Sequence, residues 1–267
     1  MERIEADFYA DPAVYDVLHT PGTAAEVDGL ERLALRFVRT EDTARDPVWL
    51  EPACGTGRYL RVAAGRGCRV IGVDLSEAMV AYARQRCERL GFGDRCLFHA
   101  GPMERLGDHV VPASVDFAFC LINSVRHIET DEGMLEHLES VRASLRPGGV
   151  YAVGLGTSRA EWEFETEDVW EARRGSMGVR QVVQYTPPAS SRARFERVIS
   201  HMTVRRGART ETIDSTYRLR TYRIERWREL MELAGLRLVG VTDEDGRDVE
   251  APVCGYAVWV LALDEAR

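Results

Sequence analysis

Short apolar runs alternate with helical patterns as far as about residue 155. Five runs, PVWLE, CRVIGVD, CLFHA, VDFAFCL and VYAVGL, have the length and side chains of buried strands. Between them, GRYLRVAAG, SEAMVAYARQRCERLG and DEGMLEHLESVRASLRPGG carry apolar residues near a period of 3.6, which predicts helices. This alternation predicts a parallel sheet with helices on both faces and ligands at the carboxyl ends of its strands.

The pattern changes after Gly156. The segments VRQVVQY, RFERVISHMTVRR and TETIDSTYRLRTY alternate polar and apolar residues and predict antiparallel strands, before IERWRELMELAG, LRLVGVT and GYAVWVLAL return to the core pattern. We predict an α/β fold: a Rossmann-like, doubly wound, mostly parallel seven-stranded sheet, with an antiparallel β-rich lid inserted after strand five. The predicted divisions are an N-terminal helical cap at 1–40, a core at 41–156 and 224–267, and the lid at 157–223.

Composition narrows the class of protein. The 267 residues suffice for one large domain with an insertion. The net charge of -8 argues against general nucleic-acid binding, and no apolar run has the length of a membrane span. With an N-terminus too acidic for a signal peptide, we expect a cytoplasmic protein. Six cysteines without a CxxC pair predict reduced thiols and no metal site.

The basic residues are unusual in kind and in place. The chain has no lysine, which excludes Schiff-base chemistry and a Walker-type phosphate site. Residues 158–228 hold fifteen Arg against ten Asp plus Glu, so this segment is locally positive. An arginine there could bind an acceptor carboxylate or phosphate, or it could belong to a solvated surface.

The stretch VWLEPACGTGRYL predicts a glycine-rich turn between the first strand and the first helix. Leu60 stands where the third glycine of a dinucleotide motif should be, and Glu51 would repel a diphosphate. A cation suits Glu51 better. S-adenosylmethionine supplies an ammonium and a sulfonium there, and Asp74, at the end of the second strand, could accept both ribose hydroxyls. Alternatively, the glycines form only a tight turn.

These residues resemble the motifs of class I S-adenosylmethionine-dependent methyltransferases of the small-molecule type. EPACGTG matches the first motif with Ala53 at its first glycine, and VIGVDLSEAMV and LRPGG match two others. The resemblance covers roughly residues 45 to 155 closely. It implies S-adenosylmethionine as cofactor and S-adenosylhomocysteine as product. Pro102 stands where the family often has an adenine-binding Asp, so we expect adenine to contact the Met103 backbone, Leu75 and Met79. The predicted cofactor-binding residues are Glu51, Ala53, Gly55, Gly57, Asp74, Leu75, Met79, Pro102, Met103 and Leu121.

Candidate catalytic residues follow the fourth strand and lie in the leading segment. Methyl transfer by SN2 displacement depends mainly on alignment, and a base helps only if the acceptor loses a proton. CLINSVRHI offers His127 as a base and Asn123 as an orienting group, or both as structural residues. It lacks the N/D-P-P-Y/F motif of DNA amino-methyltransferases, which disfavours a nucleobase acceptor. Tyr15, in a leading segment like those that close over the cofactor, could hydrogen-bond either ligand or only pack.

The lid resembles that of glycine-type and sugar-amine N-methyltransferases. The predicted substrate-binding residues are Tyr9, Arg126, Trp162, Trp170, Arg173, Arg220 and Tyr222. We predict methyl transfer to nitrogen or oxygen of a small metabolite, with the lid arginines favouring an anionic one and the missing base cluster favouring an amine. The alternatives are an inactive S-adenosylmethionine-binding protein and an NAD-dependent oxidoreductase. The edge of the lid could pair across a two-fold axis in a homodimer.

Overall fold

The computed structural model describes residues 2–5 (backbone only), 9–39, 45–159, 163–190 and 192–264. The strands are β1 (Glu2–Glu5), β2 (Val48–Pro52), β3 (Arg69–Asp74), β4 (Cys96–Ala100), β5 (Val115–Cys120), β6 (Leu145–Thr157), β7 (Thr166–Arg174), β8 (Met177–Thr186), β9 (Phe195–Arg206), β10 (Arg209–Arg220), β11 (Leu236–Thr242) and β12 (Gly255–Leu263). The α-helices are α1 (Pro12–His19), α2 (Thr23–Phe37), α3 (Arg58–Gly65), α4 (Glu77–Arg89), α5 (Asp131–Ser144) and α6 (Ile224–Leu233). Within these ranges, no helix combines the length and apolarity needed to cross a bilayer.

Seven strands form the core sheet in the order β11-β12-β6-β5-β2-β3-β4. The pairs from β6 to β4 are parallel, and β12 runs antiparallel to both of its neighbours. The predicted doubly wound, mostly parallel sheet is therefore confirmed. Because the carboxyl ends of parallel strands share one edge, β2, β3 and β5 bring their following loops together.

A second sheet follows β6 and has the order β1-β10-β9-β8-β7. Strands β7 to β10 are antiparallel neighbours, which confirms the β-rich lid. The outermost strand was not predicted: β1 pairs with β10 in parallel, starting from Glu2 opposite Glu211. The N-terminal segment therefore supplies a lid strand as well as the helices α1 and α2. The four residues ERIE show too little apolar alternation to indicate a strand.

Hydrogen-bonding residues fix where the helices beside the site begin. Asp11 caps α1 by accepting from the backbone N–H groups of Ala13 and Val14. Ser76 caps α4, and Thr130 caps α5 by accepting from the Gly133 N–H. Each side chain satisfies N–H groups that the first turn of a helix leaves unpaired.

One buried carboxylate ties the N-terminal helix to the core and the lid. Asp16, in α1, has no exposed surface. It accepts from Arg61 of α3 at 2.5 Å, from Arg174 of β7 at 2.6 Å and from the Tyr82 hydroxyl of α4 at 3.0 Å. Burial alone would raise the pKa of Asp16, but Arg61 and Arg174 outweigh it and hold this pKa below its usual value.

We expect Asp16→Asn to lower the free energy of unfolding by about 3 to 5 kcal/mol, because it leaves two arginines beside a neutral group. Chemical denaturation at pH 7 would measure this loss. Since the folded-state pKa is depressed, the contribution of Asp16 is present above its unfolded pKa and is lost as the pH falls through the folded value. The difference in unfolding free energy between the two proteins should therefore shrink as the pH falls below the usual pKa of an aspartate. Asp245→Asn is the control, because Asp245 forms an exposed pair with Arg247; an equal effect of both changes would refute the assigned role.

Candidate active site

A cavity of about 1460 Å³ lies between the lid and the carboxyl edge of the core sheet. Its walls come from α1, from the loops after β2, β3, β4 and β5, and from lid strands including β7 and β10. The predicted site residues that line it are Tyr9, Tyr15, Ala53, Gly55, Asp74, Leu75, Met79, Pro102, Met103, Asn123, Arg126, His127 and Trp170. Residues that sequence reasoning assigned to cofactor, catalysis and acceptor thus border one space.

The loop between β2 and α3 has left-handed backbone at three positions. Ala53, Gly55 and Gly57 have φ values of 56°, 51° and 65°. A Cβ on Gly57 would stand 3.0 Å from the Phe98 ring, so a glycine is required there for close packing as well as for conformation. Ala53 bears a cost of about 1 to 2 kcal/mol in the same region. This cost explains why the resembled motif has glycine at the position of Ala53.

Asp74 holds this loop against the end of β3. One carboxylate oxygen accepts from the Gly55 N–H at 2.7 Å, and the other accepts from the Ser76 N–H at 2.9 Å. Burial raises the pKa of Asp74, although both backbone hydrogen bonds act in the opposite direction. Each oxygen retains a lone pair, so Asp74 could still accept ribose hydroxyls at the wall of the cavity.

Glu51 lies beneath the loop and does not itself line the cavity. It is only 5 % exposed, and its Oε2 has no hydrogen-bond partner among the described residues. Burial raises the pKa of Glu51 well above its usual value; Arg58 opposes this and Asp74 adds to it. A buried acceptor without a donor is costly, and a cationic ligand at the loop would satisfy it.

Arg58 supplies the opposite charge at the first residue of α3. It lines the cavity, is 7 % exposed, and pairs with Glu26 at 2.6 Å and with the Thr23 hydroxyl at 2.9 Å. Together these groups fit S-adenosylmethionine. From beneath the loop Glu51 could attract its ammonium, Arg58 and the first N–H groups of α3 could face its carboxylate, and Asp74 could face its ribose.

The loop after β5 forms the wall beside the acceptor space. Ile122 and Asn123 both have positive φ, 50° and 63°, which costs a β-branched residue such as Ile122 about 1 to 3 kcal/mol. Two hydrogen bonds hold this conformation: the Gly156 N–H donates to Asn123 Oδ1 at 2.7 Å, and the Ile122 N–H donates to the Tyr256 hydroxyl at 3.1 Å. Asn123 therefore positions the loop. Ile122 faces the cavity, whereas Leu121 is 8 % exposed and packs in the core.

A cluster of aromatic side chains packs beside the loop after β5. The Tyr9 hydroxyl lies 3.2 Å from His127 Nε2, and the His127 ring stacks on Tyr217 with centroids 5.7 Å apart. Tyr15 packs against Tyr9 at 5.8 Å and against His19 at 4.4 Å. Burial raises the pKa of Tyr15 to about 12, so its hydroxyl is protonated at neutral pH and does not act as a base.

Several predicted residues lie away from the cavity. Arg173 does not line the cavity, because it lies at the hairpin end of β7, where its Nε donates to the Gly175 carbonyl. Arg220 and Tyr222 do not line this cavity either: they border a different one, where Arg220 pairs with Asp131. Leu121 and Gly57 are buried and do not line the cavity. Trp162 falls outside the described residues.

Sequence reasoning also missed residues that line the cavity. Arg58 directly follows the glycine motif, and this position at the start of a helix was the available signal. Tyr217, Tyr185 and Glu196 come from lid strands, where alternation alone does not indicate which face meets the core. Tyr256 lies far along the chain, and only the pairing of β12 with β6 brings it to the loop after β5.

We predict that Glu51→Gln weakens binding of S-adenosylhomocysteine but stabilises the ligand-free protein. We expect affinity for S-adenosylhomocysteine to fall about 10-fold or more by calorimetry, because a charge-assisted contact is lost. Since the pKa of Glu51 is raised in the folded state, burying this carboxyl costs stability that grows as the pH rises from its unfolded pKa toward its folded pKa. The ligand-free variant should therefore unfold at a higher temperature than the parent at pH 8. Glu136→Gln, an exposed change on α5, should alter neither quantity. Unchanged affinity of Glu51→Gln would contradict the assignment.

Comparison with known proteins supports the identity that this geometry indicates. Residues 50–149 match a family described as methyltransferase domain. The putative methyltransferase YqeM of Bacillus subtilis (strain 168) is 24% identical over 206 residues, which cover 72% of this chain and 74% of that protein.

Two solved structures have the same fold over nearly the whole chain. An S-adenosylmethionine-dependent methyltransferase from Clostridium acetobutylicum ATCC 824 superposes with a TM-score of 0.71 at 16% identity, covering 94% of this chain and 96% of that one. The sugar N-methyltransferase KedS8 from Streptoalloteichus sp ATCC 53650 gives 0.68 at 19% identity, covering 97% and 98%. Residues 50–149 match a methyltransferase domain, and the chain is an S-adenosylmethionine-dependent methyltransferase whose fold is shared with these structures.

Proposed function

We propose that this enzyme methylates an amine nitrogen of a small-molecule acceptor. One observation carries the proposal: among the described residues, the lid lines the cavity with four carboxylates and no arginine. These carboxylates belong to Glu163, Asp168, Glu171 and Glu196. An acidic wall lowers the free energy of a bound ammonium and opposes a carboxylate or phosphate.

The two arginines that line the cavity are neutralised by neighbouring acids. Arg126 donates to Glu196 at 3.1 Å and to the Arg220 carbonyl at 2.7 Å. Arg58 pairs with Glu26 on the donor side. Asp168 and Glu171 have no ion pair among the described residues, so the acceptor side of the cavity keeps negative charge. This arrangement favours a cationic acceptor over the anionic one expected from local composition.

The structural neighbours agree with an amine acceptor. KedS8, whose fold covers almost all of this chain, is a sugar N-methyltransferase. At 19% identity the likeness extends to fold, so the acidic lining of this cavity remains the principal support.

The residues of the chain account for alignment and proton transfer. When bound, S-adenosylmethionine would supply a methyl group already activated by its sulfonium. A cationic acceptor held by the acidic lid must lose a proton before its nitrogen lone pair can accept that methyl group. His127 stands at the acceptor side with Nε2 near the Tyr9 hydroxyl, and a histidine can take up the amine proton near neutral pH. Alignment by the loop after β5 provides most of the acceleration.

A matched panel of acceptors tests the nitrogen assignment. We expect amino sugars to release S-adenosylhomocysteine and their hydroxyl analogues to release none above background, since the acidic lid attracts the amine. The double change Asp168→Asn and Glu171→Gln should raise KM for the best amine roughly 5-fold with a smaller change in kcat. Glu165→Gln, a lid change outside the cavity lining, is the matched control. Faster methylation of the hydroxyl analogues would overturn the proposal.

His127→Gln tests the proton-transfer role. We expect kcat to fall about 100-fold while the affinity for S-adenosylhomocysteine stays unchanged, because the side chain acts on the acceptor side. The parent should lose activity toward acid pH, where a protonated histidine cannot accept a proton, and the variant should lose part of this dependence. Tyr9→Phe, which removes the hydroxyl beside Nε2, should have a smaller effect in the same direction. A variant with the parent's kcat and pH profile would exclude His127 as the base.

A further inference from the structure

A second cavity, of about 700 Å³, lies where the lid joins the core. It is bordered by the loop before β9, by the end of β10 and its linker to α6, and by the first turns of α5 and α6. The backbone holds these parts together, because the Thr221 N–H donates to the Arg194 carbonyl at 2.8 Å and the Ser158 N–H donates to the Tyr222 carbonyl at 2.8 Å. The cavity therefore has walls from both the lid and the core.

This junction cavity is rich in arginine. Its charged lining consists of Arg192, Arg194, Arg220, Arg223, Arg226, Asp131, Glu225 and Glu229, so five positive charges face three negative ones. Asp131 accepts from both Arg220 and Arg226. Arg192 and Arg194 are exposed and form no ion pair within the part of the chain that the structure describes. The lining of the junction cavity is therefore net positive, whereas the lid lines the first cavity with carboxylates.

One buried donor on this cavity lacks an acceptor. Tyr222 is 1 % exposed, and its hydroxyl donates to no described residue, although the neighbouring Arg220 guanidinium can donate to its oxygen. The two terminal nitrogens of Arg220 are paired with Glu129 and Asp131. A buried donor left unsatisfied costs about 1 to 3 kcal/mol, so such donors indicate a ligand that accepts hydrogen bonds.

The first turn of α6 adds a third kind of donor. This ten-residue helix begins at Ile224, and its cap residue Arg223 makes no side-chain capping bond. The N–H groups of a first turn are unpaired within the helix and favour negative charge. Backbone, hydroxyl and guanidinium donors therefore meet at one cavity, which is the combination that recognises phosphate oxygens.

We infer that the junction cavity is a binding site for a phosphate group, separate from the methyl-transfer site. Its ligand is inorganic phosphate or the phosphate of a monoester; both present the same oxygens to Arg192, Arg194, Arg220 and Tyr222. A bound phosphate bridges the lid loop to α6 and so stabilises the lid against the core. Because the Arg220 carbonyl accepts from Arg126, the site is linked by one residue to the wall of the acceptor cavity.

Calorimetry on the full chain with inorganic phosphate and with glycerol 3-phosphate tests this inference, with sodium chloride at matched ionic strength as the reference. We expect saturable binding of phosphate that the double change Arg192→Gln and Arg194→Gln weakens at least about 10-fold. Arg205→Gln, an exposed arginine of β9 outside the cavity, is the control and should bind like the parent. Tyr222→Phe, which keeps the ring, should also weaken binding.

The ligand that binds more tightly identifies the source of the phosphate, and either source supports the site. Absence of saturable binding to the parent, or equal binding by the parent and the double variant, would overturn the inference. Each variant is also titrated with S-adenosylhomocysteine, and retained affinity establishes that it is folded. This second titration distinguishes a failure of the phosphate-site inference from a failure of the proposed methyl transfer.

Discussion

The carboxylate of Asp16 is the point at which the N-terminal helix, the core and the lid meet. A buried acid of this kind is tolerated only because two arginines and a tyrosine hydroxyl satisfy it. Apolar side chains of α1, including Val14 and Val17, also pack against the lid at Val179, Met202 and Val204. Strand β7 adds only Ala172 to this cluster, so its own attachment to α1 depends largely on the pairing of Arg174 with Asp16.

Position along the lid strands explains how an arginine-rich segment encloses an acidic cavity. Asp168, Trp170 and Glu171 of β7 line the cavity, whereas Arg173 and Arg174 lie at the hairpin end of the strand and bond to Gly175 and Asp16. Arginines at strand ends and in loops gather instead at the junction cavity. The same segment thus presents opposite charges on two surfaces, and its average composition describes neither surface.

Local patterns predicted the core sheet, the glycine loop and the acids at the ends of β2 and β3, because these features depend on short-range periodicity and a contiguous motif. The acceptor side was less accessible to sequence reasoning. The face to which Arg173 or Tyr217 points depends on how the lid sheet packs against α1, a contact between distant segments. The strained Ile122 depends on Tyr256, which is adjacent only through sheet pairing. The strand β1 is too short and too polar to be predicted before its partner β10 is known.

The parallel pairing of β1 with β10 also constrains the order in which the protein is assembled. During synthesis the first residues leave the ribosome long before the segment around Glu211 that pairs with them. The lid sheet can be completed only by a contact that spans most of the chain, and such contacts form slowly because a long loop must close first. We therefore expect the pairing of β1 with β10 to be among the slower contacts of the lid sheet to form.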